Sequence, residues 1–308
     1  MRVVDTLIGA VPFRPALLRT AARIPPPLRS RPSYRVLAAM ARRTPDCRQL
    51  GTNLGIATRL RCVVPIEHPV AIFGKPAFYS GERGALELAR RLADRSDAFV
   101  DVGAHLGYFT FYVRALASRS VPIHYFEPDP DLFARLEQNV RANALAGVTG
   151  HNEAIGEADG TALFYINRSD TFSGSLTDMF SGKHEIVPAQ VTTRRFASFA
   201  STAHFTRACV KVDVEGAERQ FLDGAIPVLD RVAYLIMEVL GPAVTSGFVA
   251  DLMREGGFHG YYINDYSLEH SLDGSFTYRE PEYNWLFCRE APPELQRTLA
   301  GSRFRIKG

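Results

Sequence analysis

Val100-Asp101-Val102-Gly103-Ala104-His105-Leu106-Gly107-Tyr108-Phe109-Thr110 joins an apolar strand to a glycine-bearing turn and an apolar helix start. Gly103 suits a backbone that turns sharply beside a ligand. Gly107 lets the next helix begin close to the sheet. Asp101 stands where it would meet a cationic or hydrogen-bonding part of that ligand. The run is not the dinucleotide fingerprint G-x-G-x-x-G, because His105 takes the place of the central glycine. That glycine admits a pyrophosphate, and a ligand without one has less need of it.

Strand and helix patterns alternate on either side of this run. Upstream, Glu82–Asp94 has helical spacing, with Leu86, Leu88, Ala89 and Leu92 as its apolar positions. Ile56–Val64 and Val70–Phe73 are short apolar runs with strand character. Downstream, the first strand at Asp97–Val102 is followed by a helix to about Ser118. A second strand, Ile123–Phe126, ends in Glu127-Pro128-Asp129-Pro130, and a helix covers Asp131–Leu145. A third strand lies near Val148–Ile155. Two extra strands, Thr161–Ile166 and Val187–Thr193, flank a polar loop at 167–186. Strand four spans Ala208–Val214 and a helix starts at Gly216. Strand five spans Val232–Val239, a helix covers Val244–Glu255, and Tyr261–Asn264 with Tyr283–Cys288 form a terminal pair. This alternation predicts an α/β fold: a mainly parallel sheet with helices on both faces. Ligands of such sheets sit at the carboxyl ends of the strands, near the switch in strand order.

Those strand ends carry acids. Glu127 follows the second strand, 26 residues after Asp101, where a carboxylate can accept both hydroxyl hydrogens of a ribose. Strand four runs Val210-Lys211-Val212-Asp213-Val214-Glu215-Gly216-Ala217-Glu218. Strand alternation puts Lys211, Asp213 and Glu215 on one face, where burial without a purpose is costly. Only four of the 36 basic residues are lysines, so Lys211 stands out in an arginine-rich chain. Glu238 closes strand five at the same edge. No histidine or third carboxylate has convincing spacing to Asp213 and Glu238, so no metal is expected.

The composition narrows the remaining choices. The chain has 308 residues, 46% of them hydrophobic and 22% charged, as in ordinary globular proteins. Its four scattered cysteines form neither a disulfide framework nor a thiolate metal site, and a cytoplasmic location is the default. Residues 1–50 hold ten arginines against two acids, and seven of the nineteen prolines. The other 258 residues carry 26 basic and 31 acidic side chains. The basic character thus belongs to an N-terminal extension, with short helices expected at Ala16–Arg23 and Tyr34–Arg43. Such an arm can touch an anionic membrane surface weakly. The acidic body argues against nucleic acid as a partner. The expected layout is this extension (1–50), lead-in strands and helix (51–96), the α/β domain (97–290), and a C-terminal helix with a basic tail (291–308).

VDVGAHLGYFT (100–110), FEPDP (126–130), NEAIG (152–156), SGSL (173–176) and KVDVEGAE (211–218) together resemble the FkbM family of S-adenosylmethionine-dependent methyltransferases. The resemblance covers roughly residues 80–290, and its most specific part is the KxDxEGAE element. It implies the class I methyltransferase fold, Rossmann-like, with a seven-stranded, mostly parallel sheet and a reversed last strand. It implies S-adenosyl-L-methionine as cofactor and transfer to a hydroxyl of a sugar, glycolipid or secondary metabolite. Asp101, Gly103, His105, Gly107, Glu127, Pro128, Glu153, Ala154 and Asp213 are then the cofactor-binding candidates. Asp213, Lys211, Glu215 and Glu238 are the catalytic candidates: Asp213 as base, Lys211 to keep it ionised and to stabilise a developing alkoxide. The loops at 167–186 and 264–282 are expected to cover a carbohydrate or small-molecule acceptor. One departure stands out, since Thr192-Thr193-Arg194-Arg195-Phe196-Ala197 lacks the aspartate that the family usually carries in a Thr-Leu-Asp segment. RNA 2'-O-methylation and a non-catalytic interaction scaffold are the alternatives.

Overall fold

The structure, a computed structural model, describes residues 51–53, 61–63, 80–167, 174–178, 186–240, 247–274 and 284–307. The helices expected at Ala16–Arg23 and Tyr34–Arg43 and the strand expected at Val70–Phe73 lie outside them. The chain divides into two units, Met1–Ala77 and Phe78–Gly308. In the first, β1 (Gly51–Asn53) pairs antiparallel with β2 (Arg61–Val63).

The second unit opens with α1 (Ser80–Ala93), which is amphipathic as its spacing predicts: Leu86, Leu88, Ala89 and Leu92 are all buried. Then come β3 (Ala98–Val102), α2 (Tyr108–Leu116), β4 (Ile123–Phe126), α3 (Pro130–Ala142) and β5 (Val148–His151). After an inserted segment follow β10 (Ala208–Val212), α5 (Glu218–Ala225) and β11 (Val232–Glu238). The chain ends with α6 (Phe248–Gly256), β12 (His259–Asn264), β13 (Ser267–Ser271), β14 (Asn284–Cys288), α7 (Pro292–Thr298) and β15 (Arg305–Lys307). The inserted segment holds β6 (Ala154–Gly156), β7 (Gly160–Asn167), β8 (Gly174–Ser175), β9 (Ile186–Arg195) and α4 (Phe196–Ala203).

The main sheet has the order β15-β13-β12-β14-β11-β10-β3-β4-β5. β11, β10, β3, β4 and β5 run parallel, and β14 is reversed between β11 and β12. The expected seven strands are all present. β13 and β15 add two more beyond β12, and the basic tail supplies the last of them. β3 and β10 are buried at every position, as strands covered on both faces must be. One core, with Phe196, Phe199, Phe221 and Trp285, fills one face; a second, with Leu88, Leu92, Tyr261 and Leu286, fills the other.

The expected third strand is broken in two. β5 stays in the main sheet, while β6 leaves it for a second sheet of order β6-β9-β7-β8. The break falls where Asn152 turns its side-chain amide onto the carbonyls of Glu127 (2.8 Å) and Pro128 (3.2 Å). Gly224 of α5 packs so closely on Gly156 of β6 that a Cβ there would collide with its carbonyl oxygen. From β3 the chain builds outward through β4 and β5, then returns to place β10 and β11 on the other side. The switch in strand order therefore lies between β3 and β10, which locates the ligand crevice at their carboxyl ends. No helix among the described residues is long and apolar enough to cross a membrane.

Candidate active site

The turn after β3 is held from below. Asp101 is fully buried, and its Oδ2 accepts from the backbone N–H (3.0 Å) and Oγ1 (2.7 Å) of Thr110 in the first turn of α2. It thereby satisfies a helix-start amide that has no intrahelical partner. Asp101 was expected to meet the ligand; its side chain is buried and faces Thr110 and Lys211. Gly103 has φ +72°, and a Cβ there would run into the carbonyl oxygen of Asp213. Gly107 has φ +82°, and a Cβ would strike Leu136 and Phe111 (2.7 Å), so the helix does begin tight against the sheet. Between them His105 adopts φ +52°, a left-handed conformation uncommon outside glycine. Its backbone N–H donates to Glu127 Oε2 at 2.8 Å.

Glu127 is 5% exposed. Besides His105, it accepts from the backbone N–H of Asp129 at 2.9 Å. Burial outweighs these two hydrogen bonds and pushes its pKa up to about 8. The following helix is capped by Asp129, which accepts from Asp131 N–H at 2.9 Å, with Pro130 at the first helical position. Glu127 is thus free of the capping role. Pro128 is held by Asn152, beside Glu153 and Ala154. The Glu153 carboxylate faces Arg194 of β9 at 3.6 Å, and Ala154 is buried in β6.

Lys211 is the hub. Only 5% exposed, its Nζ donates to Gly103 O at 3.0 Å and pairs with Asp213 Oδ2 (3.3 Å) and Asp101 Oδ1 (3.6 Å). It also lies 5.0 Å from the centre of the Phe109 ring. Burial alone would favour the neutral amine; Asp213, Asp101 and Glu238 outweigh it and hold the ammonium charged, above its ordinary pKa. The contact with Asp101 Oδ1 is an ion pair rather than a hydrogen bond. Lys211 was expected to hold Asp213 ionised and to stabilise a developing alkoxide.

Strand alternation does not account for the rest of the cluster. β10 stops at Val212, and Glu215 reaches its place through a left-handed turn (φ +49°) followed by Gly216 (φ +95°). That turn is pinned twice. Ser175, fully buried on β8, donates its hydroxyl to Glu215 O at 2.6 Å. Glu218, at the start of α5, accepts from Gly216 N–H at 3.0 Å. The result brings carboxylate oxygens of Asp213, Glu215 and Glu238 within 4.8 Å of one another. The fold therefore supplies the third carboxylate that sequence spacing did not reveal, although an acidic cluster alone does not assign a metal. Asp213 and Glu238 are hydrogen-bonded. Burial raises both, but Lys211 beside Asp213 keeps it ionised, below the usual range. Burial and the Asp213 charge keep the proton on Glu238, whose pKa stands well above the usual range.

Sequence reasoning missed Thr110, Asn152 and Glu218, and read Ser175 only as one of the loop residues over an acceptor. All four lie inside the quoted motifs, but their partners are 9 to 40 residues away or set by a turn. Asp159, from the β6–β7 turn, accepts from Arg195 N–H (2.7 Å) and Ser198 Oγ (2.6 Å) at the start of α4. Of the loop expected over an acceptor at 167–186, residues 168–173 and 179–185 lie outside the described residues. His270 sits away from the cluster, paired with His259 at 3.1 Å.

The family described as Methyltransferase FkbM domain matches residues 101–259. Among solved structures, the chain is similar to a methyltransferase FkbM from Methylobacillus flagellatus KT, at 14% identity and TM-score 0.42. That match covers 88% of this chain and 58% of the other, so this chain spans less than two thirds of that relative. It is also similar to a SAM-dependent methyltransferase from Agrobacterium tumefaciens (8% identity, TM-score 0.40, 70% of this chain and 64% of that one). A third similar structure is an rRNA methylase from Streptococcus thermophilus (9% identity, TM-score 0.35, 66% and 91%). No curated protein matches.

Gly103→Ala tests the meeting of the two strand ends. It forces a Cβ against Asp213 O and strains a left-handed backbone. The expected loss is at least ~2 kcal/mol of stability, read by denaturant unfolding. Unchanged stability would mean that the turn and Asp213 do not abut.

Proposed function

The chain belongs to the FkbM methyltransferase family, and from that premise we propose that it moves a methyl group from S-adenosyl-L-methionine to a hydroxyl of a sugar, glycolipid or secondary metabolite. The observation that carries this reading is the set of acids at the ends of β4, β10 and β11, Glu127, Asp213 and Glu238, on either side of β3 and its left-handed Gly103–Gly107 turn. The residues fit such a donor. Gly103, left-handed and packed against Asp213 O, keeps the turn tight at the end of β3, and Glu127 offers a carboxylate to a ribose diol. When bound, the donor supplies a methyl group on a positively charged sulfur, already activated for transfer.

The protein's share is alignment and proton removal. An acceptor oxygen must be held in line with the methyl group, which removes much of the entropic barrier. An aliphatic hydroxyl attacks poorly unless its proton leaves as it does so. Asp213, ionised and 34% exposed, is the group able to take that proton. Lys211 acts as a positioning residue: it holds Asp213 ionised and, through Gly103 O, fixes the donor turn to the same point. Glu215 faces the same opening and would orient the acceptor.

Calorimetric titration with S-adenosylhomocysteine tests the donor assignment. The native chain should bind it, and Glu127→Gln should weaken binding about tenfold. The pH dependence has a definite sign. With its pKa near 8, Glu127 is mostly protonated at neutral pH, and the ionised form accepts both ribose hydroxyls. Affinity should therefore rise with pH until it levels off above that pKa, and Glu127→Gln should abolish the rise. Tight NAD binding without any response to S-adenosylhomocysteine would overturn the donor assignment.

The second test concerns chemistry. Asp213→Asn preserves shape and removes the base. Once an acceptor is in hand, turnover should fall ~10²–10⁴-fold, with donor affinity changing far less. Normal turnover would show that alignment alone drives the transfer.

A further inference from the structure

A second concavity lies away from the donor crevice. α1, the β12–β13 turn and the segment leading into β15 border a cavity of about 330 Å³, lined by Glu87, Arg91, Tyr266 and Arg303. β14 and β11 stand between β12 and β10, so this turn is three strand spacings from β10, roughly 15 Å. The walls are fixed to each other. α1 packs so closely on the turn that a Cβ at Gly84 would collide with the carbonyl oxygen of Asp265.

The one acid in the lining is spent. Glu87 Oε1 accepts from Arg90 Nη2 and Arg91 Nε, both at 2.6 Å. Its Oε2 accepts from Arg90 Nε at 2.9 Å and from the Tyr112 hydroxyl at 3.3 Å. Burial would raise Glu87, but Arg90 and Arg91 outweigh it and hold the carboxylate below its usual range. Burial and the Glu87 charge push Tyr112 up to about 12, so it donates and stays neutral. Asp265 precedes Tyr266 in sequence but does not line the cavity.

The two lining arginines are oriented and still have donors to give. Arg91 is fixed through Nε, and its terminal nitrogens make no hydrogen bond among the described residues. The Arg303 guanidinium lies 5.7 Å from the centre of the Tyr266 ring. That ring is itself held by Phe304 packing edge-on at 5.3 Å. Among the described residues no carboxylate pairs with Arg303, although the chain outside residues 1–50 carries more acids than bases.

We propose that this cavity binds a phosphate group, carried by a ligand other than the methyl donor. A guanidinium presents parallel N–H donors that match two phosphate oxygens, and here both forks are already positioned, so little order is lost on binding. The aromatic wall and the volume leave room for the molecule that carries the phosphate. A soluble phosphate ester and a lipid headgroup present the same chemistry. The inference goes beyond the methyl-transfer reading and stands apart from it.

Two probes on the full chain test it: pyrophosphate by calorimetry, and sedimentation with vesicles of phosphatidylcholine and phosphatidic acid in equal parts. The native chain should bind pyrophosphate with a Kd of about 1 mM or tighter. Arg303→Gln and Arg91→Gln should each weaken that binding about tenfold, and leave S-adenosylhomocysteine affinity within about twofold. Arg303 is exposed, so its replacement leaves folding intact. Both variants keep the arginines of residues 1–50, so any attraction due to that segment is unchanged. Vesicle binding that falls with the same substitutions assigns the phosphate to a lipid headgroup. Vesicle binding that does not fall, with weakened pyrophosphate binding, assigns it to a soluble ester. If neither probe responds to either substitution, the cavity is not a phosphate site and the proposal fails.

Discussion

A buried ammonium must be surrounded by carboxylates and carbonyls, or it is neither charged nor tolerated. Lys211 meets that demand with Asp101 below, Asp213 beside it and the carbonyl of Gly103 above. Each partner belongs to a different piece of the site. Asp101 anchors the start of α2 through Thr110, Gly103 begins the left-handed turn, and Asp213 leads into the carboxylate cluster. One side chain therefore sets the distance between the Gly103–Gly107 turn and the acids. Arginine would present a planar fork to partners arranged around a point, which explains a lysine at this position in a chain that otherwise favours arginine.

The inserted sheet is tied into this arrangement. β6 packs against α5 through Gly224, and Ser175 of β8 holds the carbonyl of Glu215. The turn at Glu215 is left-handed, a conformation that costs a residue with a side chain and persists only where the surroundings impose it. Ser175 on one side and Glu218 on the other impose it. The insertion thus does more than edge the domain, because it fixes the residue that completes the cluster.

Much of this was legible in the sequence. β4 was read at its observed bounds, Ile123–Phe126, because four apolar-dominated residues sit between clear breakers. The last main strand was legible from Tyr283–Cys288, though its reversal came only from the family resemblance, and Glu127, Asp213 and Glu238 were legible from their positions after apolar runs. What stayed hidden has physical causes. Alternation cannot see a strand stop, so the route of Glu215 through a turn was invisible. Burial depth is not written in residue type, so the pairing of Asp101 with Lys211 and Thr110 was not visible. The departure of β6 from the main sheet depends on Asn152 bonding to carbonyls about 25 residues earlier. β13 and β15 pair across more than thirty residues, and nothing local in Arg305–Lys307 marks a strand.

The dependence of the site on Lys211 is most directly measured as a coupling energy. Unfolding free energies of the native chain, Lys211→Met, Asp101→Asn and the double variant form a cycle. Removing either partner strands the other's buried charge, so each single change should cost about 3 kcal/mol or more. The double variant should be less destabilised than the sum of the two, by at least ~1.5 kcal/mol. Additivity within ~0.5 kcal/mol would mean that the two charges do not depend on each other, and would contradict the central role of Lys211 in holding the site together.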